Sequence, residues 1–211
     1  MSTAVASARP AGSWVKLAFF VVFGLLTVFV LLAKNARIFD PTSEIARHFA
    51  PARGYLAVHA LFGMLALLLG AFQLSNRLRA RYLAVHRALG YVYVASVFIS
   101  TPFAIPVAIK TGSLSLTAAT AVQSFGWVVT TAIALYCVRR GNIEQHRRWM
   151  MRGYPFAMIF TVARLIIPIP PILRLGLPGI EMVVWTTIAA AAFLPSIFLD
   201  WAAIARRPAQ S

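Results

Sequence analysis

Long apolar segments alternate with short polar stretches along almost the whole chain. Six of these segments are about 20 residues long, the length that an α-helix needs to cross the hydrocarbon core of a bilayer. Because lipid offers no partner to backbone N–H and C=O groups, each segment is expected to be helical. The pattern therefore predicts an all-α membrane bundle of six transmembrane helices, at residues 15–33, 54–74, 88–109, 117–138, 153–173 and 182–204.

The composition agrees with this class. Of the 211 residues, 60% are hydrophobic and 12% are charged, whereas soluble domains are about 25% charged. The net charge is +15, but the basic residues lie in short stretches between apolar segments, as in membrane proteins rather than nucleic-acid-binding proteins. Since the loops are short, the sequence predicts a single transmembrane domain over residues 1–211 and no nucleic-acid partner.

The first apolar segment has two interpretations. The residues Ala33-Lys34-Asn35-Ala36 resemble a signal-peptide cleavage site. However, the apolar run from Leu17 to Ala33 is longer than the core of a signal peptide, which has about 7–15 residues. A retained helix is therefore the favoured interpretation.

Basic residues predict the orientation of the helices. With the N-terminus inside, most of the Arg and Lys residues fall on the side that also holds the C-terminus, and basic loops face the cytoplasm. The sequence therefore predicts a multi-pass inner-membrane protein with cytoplasmic N- and C-termini. The same arginines are expected to contact anionic lipid head groups at the cytoplasmic face.

Two apolar segments begin with the same pair of residues. His86-Arg87 precedes the third segment, and His146-Arg147, followed by Arg152, precedes the fifth. Neutral imidazole is a frequent axial ligand of haem iron, and arginines pair with carboxylates such as haem propionates. The leading hypothesis is therefore a small membrane redox protein in which His86 and His146 bind one b-type haem, or frame a quinone site, at the cytoplasmic face.

The remaining histidines do not extend this site. His59 is expected near the opposite surface and His48 in a loop, so the four histidines form at most one bis-His site. With Cys137 as the single cysteine, the chain has no motif for covalent c-type haem attachment. Asp200, near the cytoplasmic end of the last segment, is expected to pair with an arginine of this side. Alternatively, the arginines only follow the charge bias of cytoplasmic loops, and the histidines contact lipid head groups.

The second segment carries a stripe of small and polar residues. They are three or four positions apart, which places them on one helix face, and they are His59, Gly63, Ala66, Gly70 and Gln73. The stripe is either a helix–helix contact, as in a structural or assembly protein, or the lining of a polar cavity, with His59 and Gln73 near opposite membrane surfaces.

Arg164 is a strong charge well inside a predicted segment, where such charges usually face the protein interior or water. Gln123, on the fourth segment, is expected at about the level of His59. These residues support an alternative function, a carrier or binding protein for an anionic or lipid-like ligand. The opposing interpretation is that Arg164 extends to the surface and bonds to carbonyls freed by nearby prolines. No nucleotide-binding loop or hydrolase elbow is found, so the sequence assigns no enzyme reaction.

Several short motifs together resemble a known family. Besides His59, they are Gly70-x-Phe72-Gln73, His86-Arg87-x-Leu89-Gly90-x-x-Tyr93 and His146-Arg147-x-Trp149-Met150-x-Arg152-x-Tyr154, within residues 54–165. On these motifs the chain resembles a bacterial family of predicted membrane proteins known as domain of unknown function 2306. The resemblance implies a small multi-pass membrane protein and no particular activity. A fainter similarity, in the placement of histidines on adjacent helices, is to b-type transmembrane cytochromes, whose two-haem pattern leaves His59 unmatched here.

Overall fold

A computed structural model shows a helical protein and describes residues 21–22, 24–40 and 42–204. In this part of the chain the long helices are α1 (Arg53–Gln73), α2 (Leu83–Lys110), α3 (Leu114–Arg139), α4 (Ile143–Ile166) and α5 (Leu177–Ile204). Shorter helical segments lie before and between them, at Leu31–Asn35, Ala36–Phe39, Glu44–His48, Ala50–Ala52, Asn76–Arg81 and Pro170–Leu173. No strand occurs among the described residues, which confirms the predicted all-α class.

Four helical segments are long and apolar enough to cross a membrane. They correspond to the second, third, fourth and sixth predicted spans and are Ala50–Gln73, Leu83–Lys110, Leu114–Arg139 and Leu177–Trp201. Within the first predicted span, 15–33, residues 15–20 and 23 lie outside the described residues, and residues 24–30 are helical. Membrane-spanning helices are thus present, but the predicted count of six is not confirmed.

The fifth predicted span differs most from the structure. It was expected at residues 153–173, whereas α4 covers residues 143–166. α4 begins earlier because Asn142 caps it, accepting a hydrogen bond from the backbone N–H of Gln145 at 3.1 Å. It ends earlier because Pro168 has no N–H with which to continue the helix. The helix therefore includes polar turns rich in arginine, which make it less apolar than the other four.

The long helices pack in chain order, with further contacts between α1 and α4 and between α3 and α5. Short connections join successive helices, so neighbours run antiparallel and their ends gather at two ends of the bundle. We call one the arginine-rich end; there α1, α3 and α5 finish and α2 and α4 begin. We call the other the far end; there α1, α3 and α5 begin and α2 and α4 finish.

Large apolar side chains cover the outside of the bundle. Phe125 is 71% exposed, Phe198 70% and Trp201 69%. A soluble protein rarely leaves so many large apolar groups in water, whereas lipid solvates them. The interior combines small side chains such as Ala66 and Ala119, which are fully buried, with a few aromatic ones such as Tyr93 and Trp127. This distribution agrees with helices that contact lipid on their outer faces.

Glycines allow the helices to approach closely. A Cβ atom at Gly70 of α1 would overlap the Tyr154 ring of α4 and lie 3.1 Å from the Tyr93 ring of α2. A Cβ at Gly126 of α3 would lie 2.7 Å from the ring of Phe156. Small residues play this role in many membrane helix contacts because packing, rather than the hydrophobic effect, drives association in lipid.

We predict that Gly70→Ala destabilises the protein, whereas Gly54→Ala does not. Alanine is the better helix former at both positions, and a Cβ at Gly54 meets nothing within 4 Å. At Gly70 the added methyl group must displace two aromatic rings, which costs about 1–3 kcal/mol. Thermal unfolding in detergent measures both variants. Equal stability of the two would show that α1, α2 and α4 do not pack this closely.

Candidate functional site

A cavity of about 430 Å³ lies between the helices toward the far end. Most of its walls are apolar, and they include Leu56, Met64, Trp127 and Phe160. Three long polar side chains from three different helices also line it: His59 from α1, Gln123 from α3 and Arg164 from α4. Each of these three was a candidate from the sequence, and the fold brings them to one place.

The His59 ring is held in one orientation by Ser100 of α2. Its Nδ1 lies 3.1 Å from the Ser100 carbonyl oxygen and 3.0 Å from the Ser100 hydroxyl, while that hydroxyl donates to the His59 carbonyl at 3.0 Å. A carbonyl only accepts hydrogen bonds, so Nδ1 carries the proton. Nε2 of a neutral His59 is therefore left with a lone pair.

Gln123 presents an acceptor. Its amide nitrogen donates to the Phe156 carbonyl of α4 at 3.1 Å, which assigns the two ends of the side chain because that carbonyl cannot donate. The other end, Oε1, is buried and has no hydrogen-bond partner among the described residues. The whole residue is only 5% exposed, so water outside the bundle does not reach it.

Arg164 places a cationic side chain at the same cavity. It is partly buried and close enough to His59 for the two groups to interact electrostatically. Glu181, an acid near the start of α5, accepts a hydrogen bond from the Ser113 hydroxyl at 2.6 Å. The cavity thus combines one cation, one assigned amide acceptor and one imidazole.

Gln73, the fourth cavity candidate, lies elsewhere. It is at the arginine-rich end, where its amide nitrogen donates to the His86 carbonyl at 3.2 Å. Between Gln73 and His59, Ala66 is fully buried and Gly70 faces aromatic rings. The stripe on α1 is therefore mainly a helix contact, and only its His59 and Gly63 line the cavity.

The two His-Arg pairs do come together at the arginine-rich end. His86 lies in the first turn of α2 and His146 in the first turn of α4, and the two imidazoles are close enough to interact electrostatically. His146 Nδ1 lies 2.9 Å from the Ala134 carbonyl of α3, so Nδ1 carries the proton and Nε2 keeps a lone pair. Nδ1 of His86 is buried without a hydrogen-bond partner in the described part of the chain.

Arg152 is held by α5. Its guanidinium lies 3.4 Å from Asp200 and donates to the Ser196 hydroxyl at 3.1 Å, and it also stacks over the Trp149 ring at 5.2 Å. Arg148 approaches the same carboxylate at 3.3 Å. Asp200 therefore has the arginine partners that its position predicted. These contacts join α4 to α5.

Arg87 and Arg147, the other two candidates for a cofactor at this end, are exposed. No group of three or more metal-ligating His, Cys, Asp or Glu residues occurs among the residues that the structure describes. Among the described residues, a metal at this end would therefore have His86 and His146 as its candidate ligands.

A second cavity, of about 450 Å³, lies on the side of α1 and α4 that faces residues 24–28. Its walls include Leu67, Phe72, Met151 and Tyr154. The Tyr154 hydroxyl is turned away from solvent and donates to the Leu67 carbonyl at 3.0 Å. The cavity is almost entirely apolar, and neither it nor the far-end cavity includes His86 or His146.

Neither the role of Ser100 nor the Tyr93–Trp127 pair was predicted from the sequence. Trp127 donates to the Tyr93 hydroxyl at 3.2 Å, joining α3 to α2. Residues 86, 93, 96 and 100 share one face of α2 by their spacing, and all of them are polar or aromatic. That periodicity was the available signal for an interior face, but not for which atoms it contacts.

Comparisons with known proteins identify a family for this chain but no individual relative. No curated protein and no solved structure matches it, so these comparisons do not support the fainter similarity to b-type cytochromes. The family described as "Predicted membrane protein (DUF2306)" matches residues 56–204, more than half of the chain. The match begins in α1 and extends to the last residue of α5, so it includes the polar residues of the far-end cavity and the two His-Arg pairs. The chain therefore belongs to this family of predicted membrane proteins, as its motifs predicted.

Proposed function

We propose that this protein is a membrane binding protein or carrier that holds a ligand in the far-end cavity. The observation that carries the proposal is the convergence of His59, Gln123 and Arg164, from three helices, on one cavity of about 430 Å³. Small-molecule sites are typically about 300–1,000 Å³, mainly apolar and equipped with a few convergent polar groups. This cavity matches that description.

The buried acceptor of Gln123 favours a bound ligand over a purely structural role. A buried polar atom without a hydrogen bond costs about 1–3 kcal/mol, and Oε1 of Gln123 has no partner among the described residues. The amide nitrogen of the same residue already joins α3 to α4. A ligand that bonds to Oε1 would remove this cost. The apolar walls suit a ligand that is lipid-like outside its polar head.

We further propose that six helices cross an inner membrane, with both termini and the arginine-rich end in the cytoplasm. α4 has 24 residues, about 36 Å at 1.5 Å per residue, and packs between α3 and α5. Arg147, Arg148 and Arg152 lie in its first three turns, where they reach the lipid head groups. The bias of basic loops toward the cytoplasm supports this orientation, and anionic lipids are the expected partners of these arginines.

A redox protein is the second candidate, with one b-type haem bound by His86 and His146. Two features favour it. The two imidazoles are close enough for an electrostatic interaction, and the proton of His146 is on Nδ1, bonded to the Ala134 carbonyl. Metal-ligating histidines usually donate their other N–H to such an acceptor. Haem would supply one-electron chemistry, while His86 and His146 would hold it and Arg87 and Arg147 would neutralise its propionates.

Site-specific labelling tests the topology. In a Cys137→Ala background, Leu175→Cys and Arg140→Cys place single thiols beyond opposite ends of α4, at positions that are exposed. We expect a membrane-impermeant maleimide to label Leu175→Cys in intact spheroplasts, and Arg140→Cys only after lysis. Labelling of both from one side would show that α4 does not cross the membrane.

Co-purification of anionic lipids in preference to phosphatidylcholine tests the proposed head-group contacts.

Filling the cavity tests the binding function. Ala157 lines it, whereas Ala95 is exposed on α2, so Ala157→Phe and Ala95→Phe add the same group inside and outside. We expect mass spectrometry of the purified protein to find a small molecule with the wild type and Ala95→Phe. Its amount should fall at least about tenfold in Ala157→Phe, because the added ring occupies the cavity. A tenfold loss corresponds to about 1.4 kcal/mol of binding free energy. Equal retention by both variants would contradict the proposal.

Absorption spectroscopy tests the redox candidate. Protein expressed in haem-replete cells should show a Soret band and a reduced-minus-oxidised spectrum of low-spin b-type haem. His86→Ala and His146→Ala should each abolish the band, because each removes one axial ligand. His48→Ala, at an exposed position, is the matched control. A wild-type protein without a Soret band would exclude haem binding.

A further inference from the structure

We propose that the ligand of the far-end cavity carries hydroxyl groups on an aromatic ring, as a hydroquinone does. This inference rests on the proposed binding function and names the chemical class of its ligand. It concerns binding alone and involves no transfer of electrons or protons. It replaces the broader expectation of an anionic ligand.

Two of the residues that line the cavity, Gln123 and His59, each keep a hydrogen-bond acceptor, and a third, Arg164, is a cation. Gln123 Oε1 accepts, because its amide nitrogen is committed to the Phe156 carbonyl. Nε2 of His59 accepts as well, because Nδ1 carries the proton and faces Ser100. Both assignments follow from neighbouring carbonyls, which never donate. A ligand that fills both acceptors must therefore bring hydrogen-bond donors.

This requirement disfavours a carboxylate. An ionised carboxylate has only acceptor oxygens. It could accept hydrogen bonds from Arg164, but it has no hydrogen to donate to the acceptor atoms of Gln123 and His59. A hydroxyl group both donates and accepts. Its hydrogen can bond to Oε1 of Gln123 or Nε2 of His59 while its oxygen accepts from Arg164. One type of group can therefore bond to all three side chains.

The walls favour an aromatic ring with two hydroxyl groups. Trp127, Phe156 and Phe160 line the cavity, and aromatic rings pack favourably against one another in offset or edge-on arrangements. The two acceptors come from different helices, α1 and α3. A ring with two hydroxyl groups brings one donor for each acceptor, whereas a simple alcohol brings only one.

Titration calorimetry in detergent micelles tests this with a decyl-substituted benzohydroquinone, its oxidised quinone and decanoate, under anaerobic conditions. The quinone has the same shape but only acceptor oxygens. We expect the hydroquinone to bind wild-type protein about tenfold more tightly than the quinone or decanoate, because only the hydroquinone brings donors to both acceptors; tenfold corresponds to about 1.4 kcal/mol, shared between the two bonds. Gln123→Met should reduce this preference to about threefold. Gln73→Met removes an amide that likewise bonds to a carbonyl, but at the arginine-rich end, and should keep the full preference.

The outcomes separate this inference from the proposed function. Equal or tighter binding of the quinone to the wild type overturns the hydroxyl inference, whatever the variants do. Tighter binding of decanoate overturns it too, yet leaves a binding protein for anionic ligands. If none of the three probes binds, the hydroxyl inference fails. The proposed function then fails as well only if Ala157→Phe also leaves the co-purified molecules unchanged.

Discussion

Backbone carbonyls hold much of this bundle together. Side chains on one helix donate to main-chain oxygens on the next, from His59 to Ser100, from Gln73 to His86, from Gln123 to Phe156, from His146 to Ala134 and from Tyr154 to Leu67. These bonds link α1 to α2, α3 to α4 and α4 to α1. Inside a membrane protein each such bond contributes about 1 kcal/mol or less, but an unbonded donor in lipid costs more.

This mode of packing has a chemical consequence. Because a carbonyl only accepts, it takes up the donor end of each side chain and leaves the acceptor end for something else. Gln123 and His59 show this at the far-end cavity, where each has committed an N–H to the neighbouring helix. The same contacts that assemble the bundle therefore determine which ligands its cavity suits.

Charged side chains occur both at the arginine-rich end and inside the bundle. Arg148 and Arg152 share Asp200 at the arginine-rich end, and the carboxylate is about half exposed, so each pair contributes little to stability. They nevertheless join α4 to α5 at the arginine-rich end. Arg164, by contrast, is placed inside, where a charge is costly and a cavity accommodates it.

The sequence by itself determined the class of this protein and the location of its chemistry along the chain. Apolar length predicted helices, because lipid leaves the backbone no other way to satisfy its hydrogen bonds. The motifs around His86 and His146 predicted the family. The short loops placed both His-Arg pairs at one end of the bundle, since consecutive helices must run antiparallel.

Only the tertiary structure decided which polar residues share a site. Helical periodicity put His59 and Gln73 on one face of α1. Their partners on other helices differ, however, so that His59 lines a cavity and Gln73 takes part in a helix contact. The apolar limits of the fifth segment misplaced α4, because the Asn142 cap and Pro168 set its ends rather than hydropathy. Tautomers and amide orientations depend on a neighbour's carbonyl. The spacing of residues along the chain does not show which carbonyl will lie beside a given side chain.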